Sequence, residues 1–264
     1  MLGENCMRLY AVRTGIVRTG ENIVEVILES LKKQNLQLED SDVLALASKI
    51  IAYAEGRVAK LSDVEPSEES KELAKKFSLQ PEFAELIRRE ADKIYGGVEK
   101  AVLTLKNGVL TANAGIDNKN APADSVVLWP KNAEEWAKRI RDEIIRRTSK
   151  RIAVLIVDSG LAPLRLGTNG LALAVAGFKP VIDFRGEKDI FGKLLIITRH
   201  AVADDLASAA HLLMGEAAEK TPVVLIKDSP VVFDEHVYGS ADMMISPNDC
   251  IFMNTREYLG KLRL

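Results

Sequence analysis

Two acidic residues stand where this chain could do chemistry. Asp158 ends a short, largely β-branched run, residues 152–157, and is followed by Ser159, Gly160 and a loop carrying Arg165, Gly167, Thr168 and Asn169. Asp117 closes the stretch Asn113-Ala114-Gly115-Ile116-Asp117 behind a second apolar run and leads into Asn118, Lys119 and Asn120. An acid at the end of a buried strand, beside a hydroxyl and a glycine-rich loop, is a common way to hold a divalent ion against phosphate oxygens. The same residues are also ordinary turn chemistry. Taken alone, the Asp158 segment reads first as a turn.

Composition narrows the classes. The chain has 264 residues, 47% hydrophobic and 28% charged, which allows a sizeable core and argues against disorder. A net charge of −2, with Lys and Arg spread along the chain, excludes a basic nucleic-acid face. No apolar run reaches the ~18 residues of a membrane span, and no signal-peptide pattern opens the chain, so a cytoplasmic protein is expected. Cys6 and Cys250 read as reduced thiols. His200, His211 and His236 lack ligand spacing, so any metal would sit among carboxylates, which favours Mg²⁺ or Mn²⁺. The phosphate loop G-x-x-x-x-G-K-[ST], the dinucleotide fingerprint G-x-G-x-x-G and the elbow G-x-S-x-G do not occur. A nucleotide would have to be held in another way.

The elements that must position these residues follow from periodicity. Residues 8–13, 43–47, 152–157, 171–177, 194–202 and 222–227 read as strands. Residues 48–57 read as the second strand continuing to a surface turn at Glu55-Gly56. Residues 22–33 read as a helix with Ile23, Ile27 and Leu31 on one face. A helix runs from the Pro66-Ser67-Glu68-Glu69 start to Phe77, and another from Pro81 to Gly96-Gly97. Apolar runs on either side of Asn107-Gly108 predict a tight hairpin over 101–112. Asn132 and Glu135 suggest a capping box on a helix bearing Trp136, Ile140 and Ile144. Residues 204–214 form a helix that Gly215 ends, with Asp204 and Asp205 at its N-terminus and His211 in a structural role. A last helix begins near Asn254. This order mixes hairpins with helices, so the fold class is α+β: mixed, largely antiparallel sheets with flanking helices. It forms a single unit over 1–264, with a possible subdomain boundary near 150 or 230.

Five segments then carry a resemblance: SKIIAYAEGR, NAGIDNKN, VDSGLAPLRLGTNGLALAVAG, DFRGEKDIFG and AVADDLASAAHLLMGE. In this order, over about residues 8–227, the chain resembles the coenzyme F420-0:γ-glutamyl ligase family. The resemblance implies that family's fold and a GTP-dependent ligation of L-glutamate, through its amine, to a deazaflavin bearing a phosphodiester. It implies two Mg²⁺ or Mn²⁺ sites, allows a monovalent cation, and implies a homodimer. One ion would sit between Asp117 and Asp158 and the other would be held by Ser159 and Glu216. Thr14, Gly15, Ile16 and Val17, with Ser48, Lys49, Asn120 and the turn carrying Met214, Gly215 and Ala217 through Thr221, would line the nucleotide pocket. Arg165 could pair with a phosphate and joins Asp117 and Asp158 as a catalytic candidate. Counting the register moves Asp117, Asp158 and Glu216 from turn residues to ligands; Asp183 and Asp189 stay unassigned.

Two departures bear on function. The family has lysine where this chain has Tyr53, and its D-T-x-G-R loop reads here as Asp158-Ser159-Gly160-Leu161-Ala162. Two cations are thus replaced by a phenol and a methyl, which weakens a site for triphosphate; Lys49, four positions before Tyr53, could compensate for the first loss, and nothing obvious replaces the second. Two alternatives stay open: a diverged homologue ligating an amino acid to another phosphorylated small molecule, and a non-catalytic nucleotide- or ligand-binding protein.

Overall fold

A computed structural model describes residues 6–254. The chain begins β1 (Arg8–Val12), α1 (Ile23–Lys33), β2 (Val43–Ala47), α2 (Ser48–Glu55) and β3 (Val58–Lys60). Helices α3 (Glu68–Phe77) and α4 (Pro81–Glu90) lead into strands β4 (Lys93–Val98), β5 (Ala101–Lys106) and β6 (Val109–Ala112). Then come β7 (Ser125–Val127), α5 (Ala133–Thr148), β8 (Ala153–Gly160) and β9 (Asn169–Phe178). The remainder holds β10 (Ile182–Asp183), β11 (Arg199–His200), α6 (Val202–Met214), β12 (Val223–Lys227), β13 (Phe233–Gly239), α7 (Ser240–Met243) and α8 (Ile251–Asn254). The predicted tail helix lies mostly outside the described residues.

Six strands make the central sheet, in the order β1-β12-β2-β8-β9-β13. Only β2 and β8 run parallel; every other neighbouring pair in it is antiparallel. Strand alternation gives the sheet two apolar faces. Leu44, Leu46, Val154, Ile156, Ala174 and Ala176 pack with Ile27 and Leu31 of α1 and Ile140 and Ile144 of α5. Val43, Ala45, Ala153, Leu155, Val157 and Val175 pack with Leu206, Ala207 and Ala210 of α6 on the other. Each large aliphatic side chain fully buried here contributes about 1.5–3 kcal/mol, so the sheet is a stiff frame for what its strand ends carry. The close approach of α6 depends on Gly170: a Cβ there would lie 2.2 Å from the Ala207 carbonyl oxygen. A smaller cluster, Leu86, Ile87, Ala114, Ile116, Val126 and Leu128, joins α4 to β7 beside the three-stranded sheet β4-β5-β6.

Several sequence expectations hold. Helix α1 is capped by Asn22, whose side chain accepts from the Val24 and Glu25 amides at 3.1 and 3.3 Å. The β5–β6 hairpin turns at Asn107 and Gly108, both with positive φ, as the two-residue turn requires. Asp204 and Asp205 do lie in the first turn of α6.

Others are corrected. Residues 48–55 are a helix whose Ile50 and Ile51 pack into the core against the sheet instead of extending β2. Helix α4 stops at Glu90, and the glycine pair reads as strand β4 because it lies on the ladder with β5. Within residues 194–202 only Arg199–His200 form a strand, paired with Ile182–Asp183. Asn132 makes no side-chain cap bond; its amide instead reaches the Glu135 carboxylate at 3.3 Å. Finally, Asp158-Ser159-Gly160 is no turn: the ladder with β9 continues through Asp158–Leu171, Ser159–Gly170 and Gly160–Asn169, after a bulge between Ile156 and Val157.

Candidate active site

That continued strand decides how the acid is used. Neighbouring side chains on a strand point to opposite faces. Asp158 therefore turns to the α2 side. Its Oδ1 accepts from Ser48 Oγ at 3.0 Å and its Oδ2 from the Trp129 indole N–H. Ser159 turns to the α6 side, where its Oγ donates to Glu216 Oε1 at 2.9 Å and lies 3.2 Å from His211 Nε2. One dipeptide at the end of β8 thus engages both layers of helices. Ser48 and Lys49 open α2, whose N-cap, Ala47, makes no side-chain hydrogen bond to the first turn.

Asp117 arrives by a more strained route. Asn113, Ala114 and Gly115 have φ of 52°, 55° and 71°, three consecutive residues in the left-handed region, with Ala114 fully buried. Such backbone costs of order 1–3 kcal/mol per non-glycine residue and persists where its surroundings enforce it. Here Asn113 Oδ1 accepts from the Val102 amide at 2.9 Å, and the Ala114 amide donates to Thr104 Oγ1 at 2.8 Å. Asp117 then bridges to Val127 through two backbone hydrogen bonds, and its Oδ1 takes the Lys119 amide at 2.7 Å. Its Oδ2 takes Lys49 Nζ at 2.7 Å. That pair is partly exposed, so it is worth about 1 kcal/mol or less and can yield to a stronger partner.

Electrostatics separate the acids. Burial pushes the Asp158 carboxyl up, opposed by its bonds from Trp129, the Ser159 amide and Ser48 and by the charge of Lys49. Burial also pushes Glu216 up, but hydrogen bonds from Thr168, Ser159 and His211, with the charge of Lys119 at 3.5 Å, outweigh it and hold it at about 2. Glu216 is therefore a fixed negative charge near neutral pH.

Two cavities meet at this wall. One, of about 510 Å³, is lined by Asp117, Lys119, Thr168, Phe83, Lys100 and Ile116 among others. The second, of about 710 Å³, is lined by Thr14, Gly15, Ile16, Val17, Ser48, Tyr53, Asn120, Met214, Gly215, Ala217 and Thr221 among others. Lys49, Asp158, Ser159 and Glu216 line both. Every residue expected around a nucleotide falls on the larger cavity. The Thr14 amide bonds the Lys220 carbonyl at 3.2 Å, and the Asn120 amide group bonds the Ala217 carbonyl at 3.0 Å, which ties its three loops together. Arg165 is exposed and lines neither cavity. Tyr53 donates to the Asn120 carbonyl at 2.7 Å and so braces the cavity wall.

The donors on this wall, carboxylates and hydroxyls, suit a hard divalent ion. Among the described residues no three His, Cys, Asp or Glu side chains form a ready ligand set, so substrate oxygens or water would have to complete the coordination. Sequence reasoning missed Trp129, whose indole holds Asp158, and kept His211 structural although its Nε2 reaches Ser159 and Glu216. Only the fold brings Trp129 to Asp158 and His211 to Ser159. Thr168 was visible only as a loop residue.

Residues 11–228 match the family model described as F420-0:Gamma-glutamyl ligase. The chain is 41% identical over 213 residues to the coenzyme F420:L-glutamate ligase of Methanocaldococcus jannaschii, covering 80% of this chain and 84% of that protein. It is 36% identical over 212 residues to the protein of that name from Methanopyrus kandleri, and 34% over 212 residues to the one from Methanosarcina mazei, each covering 80% of this chain and 82% of the relative.

Proposed function

This chain belongs to the F420-0:gamma-glutamyl ligase family, and from that premise we propose that it is a GTP- and divalent-metal-dependent ligase that joins L-glutamate, through its amine, to a carboxylate of coenzyme F420-0, with γ-glutamyl links where further glutamates are added. The observation that carries this reading is the wall shared by the two cavities. A ligase must bring a nucleotide and an acceptor to one reacting centre, and the side chains on that wall are carboxylates, a hydroxyl and a lysine.

In this reading the larger cavity takes GTP. Its triphosphate points at the first turn of α2, where backbone N–H groups and Lys49 favour anions. The acceptor occupies the smaller cavity. The acceptor carboxylate attacks the γ-phosphorus, the bond to the β-phosphate oxygen breaks, and GDP leaves. The glutamate amine then attacks the acyl carbon of the acyl phosphate. Inorganic phosphate departs and the amine proton passes to solvent. Asp117 and Asp158 would hold one Mg²⁺ or Mn²⁺, and Ser159 and Glu216 a second. Bound there, the ions would neutralise phosphate charge and align the reacting oxygens. Lys49, released from Asp117, would add a phosphate contact in place of the cation absent at Tyr53. Arg165 would have to swing in with its loop to act on phosphate.

The reading includes a cytoplasmic homodimer. No helix among the described residues is long and apolar enough to cross a membrane. Exposed Ile190, Phe191, Ile196 and Ile197, each at least 79% accessible, favour a partner surface. Incubation with F420-0, L-glutamate, GTP and Mn²⁺, read by mass spectrometry, tests the function. A mass gain of one or more glutamyl residues with GDP released is the expected result. GTP consumed or bound without that gain would point to another acceptor.

A further inference from the structure

Trp129 links the two segments that carry Asp117 and Asp158. Its indole is 4% exposed, and its N–H donates to Asp158 Oδ2. The same ring rests on Gly115, two residues before Asp117: a Cβ at Gly115 would lie 2.2 Å from indole Cε2. Gly115 closes the left-handed run described above, so the turn can tighten only with glycine under the ring.

The indole is itself braced from behind. Arg57 Nε donates to the Trp129 carbonyl at 3.0 Å, and Arg57 Nη2 donates to Glu90 Oε2 at 2.6 Å. Lys106, 5% exposed, also donates to Glu90 and stands 5.9 Å from the indole centroid. This network ties Trp129 to α4 and β5, outside the central sheet. An indole N–H can only donate, so it favours the carboxylate form of its partner and fixes one oxygen of it.

We propose that Trp129 is a positioning residue that sets the spacing of two acids at once, fixing the Asp158 carboxylate through its N–H and the Asp117 turn through its ring. The proposal rests on the reading of those acids as ligands of a divalent ion. Partners that orient a metal's ligands typically govern about ten- to a hundred-fold of affinity.

The test is Mn²⁺ binding by electron paramagnetic resonance, in the wild type and in Trp129→Phe, which keeps a ring on Gly115 but lacks the donor. The expected result is Mn²⁺ binding at least about ten-fold weaker in the variant, with a melting temperature close to wild type. Equal Mn²⁺ affinity in the two proteins would overturn the proposal and leave the metal reading intact. A wild type that binds no Mn²⁺ would overturn both. Should the variant fail to fold, ¹⁵N-indole resonances of the wild type decide. The chain has two tryptophans, so Trp136→Phe assigns the signals. Added Mg²⁺ should move the Trp129 signal and leave that of Trp136 in place; an unmoved Trp129 signal would overturn the proposal.

Discussion

At the scale of single residues, Glu216 and Asp158 have opposite environments. Glu216 gathers three donors on one oxygen and is held at about 2, while burial pushes Asp158 up. Glu216→Gln keeps the shape and loses the charge. Mn²⁺ affinity, by calorimetry, is expected to fall about ten- to a hundred-fold, with the fold retained. An unchanged affinity would remove Glu216 from the ligand set. Asp117 and Asp158 were legible as candidates from residue type and order, against a competing turn reading, while Glu216 joined them only through the family resemblance. Trp129 was not, because nothing in its own neighbourhood, a Val-Val-Leu-Trp-Pro run, hints that its N–H meets an acid 29 positions away.

At the scale of elements, α6 and the α3–α4 pair give two tests. Gly170 lets α6 approach β9, and α6 carries His211 and leads into Glu216. Gly170→Ala should push the helix outward and destabilise by about 1–3 kcal/mol in denaturant unfolding, as overpacked sites do. No loss would mean that α6 can shift freely, contrary to the packing described. In the second case Glu85, buried in α4, is bonded by Arg88, Ser67 and Arg89, and these bonds hold its carboxyl far below the ordinary range. A depressed pKa in the fold contributes stability that is present above the unfolded value of about 4.3 and is lost as pH falls through the folded value. Glu85→Gln should therefore melt below wild type at neutral pH, and the gap should close in strong acid. A gap that stays constant with pH would show that the charge is not the cause. Elements with alternating or helical periodicity were legible. Helix α2 was not, because it follows β2 with no punctuating residue and its apolar run reads as more strand. Residues 194–202 misled for the opposite reason: a β-branched run has strand propensity, but only Arg199–His200 found a ladder partner among the described residues.

At the scale of the molecule, the order of strands and helices was enough to give the class, an antiparallel-dominated α+β fold, and the family likeness extended it to most of the chain. The two cavities were beyond the sequence. The smaller arises where β6, the β7 segment and the end of β8 come together, and the larger where the loop after β1, the start of α2, residues 120–122 and the turn after α6 meet that strand end; no local pattern encodes either meeting. The central proposal is that Asp158, at the junction, serves both cavities by holding a divalent ion against a triphosphate. Calorimetric titration of GTP in the presence of Mn²⁺ into the wild type and Asp158→Ala tests this most directly. The wild type should bind GTP only with Mn²⁺, and the variant, still folded by circular dichroism, should lose the metal-dependent heat. GTP binding that is the same with and without Mn²⁺, or unchanged in Asp158→Ala, would contradict the account.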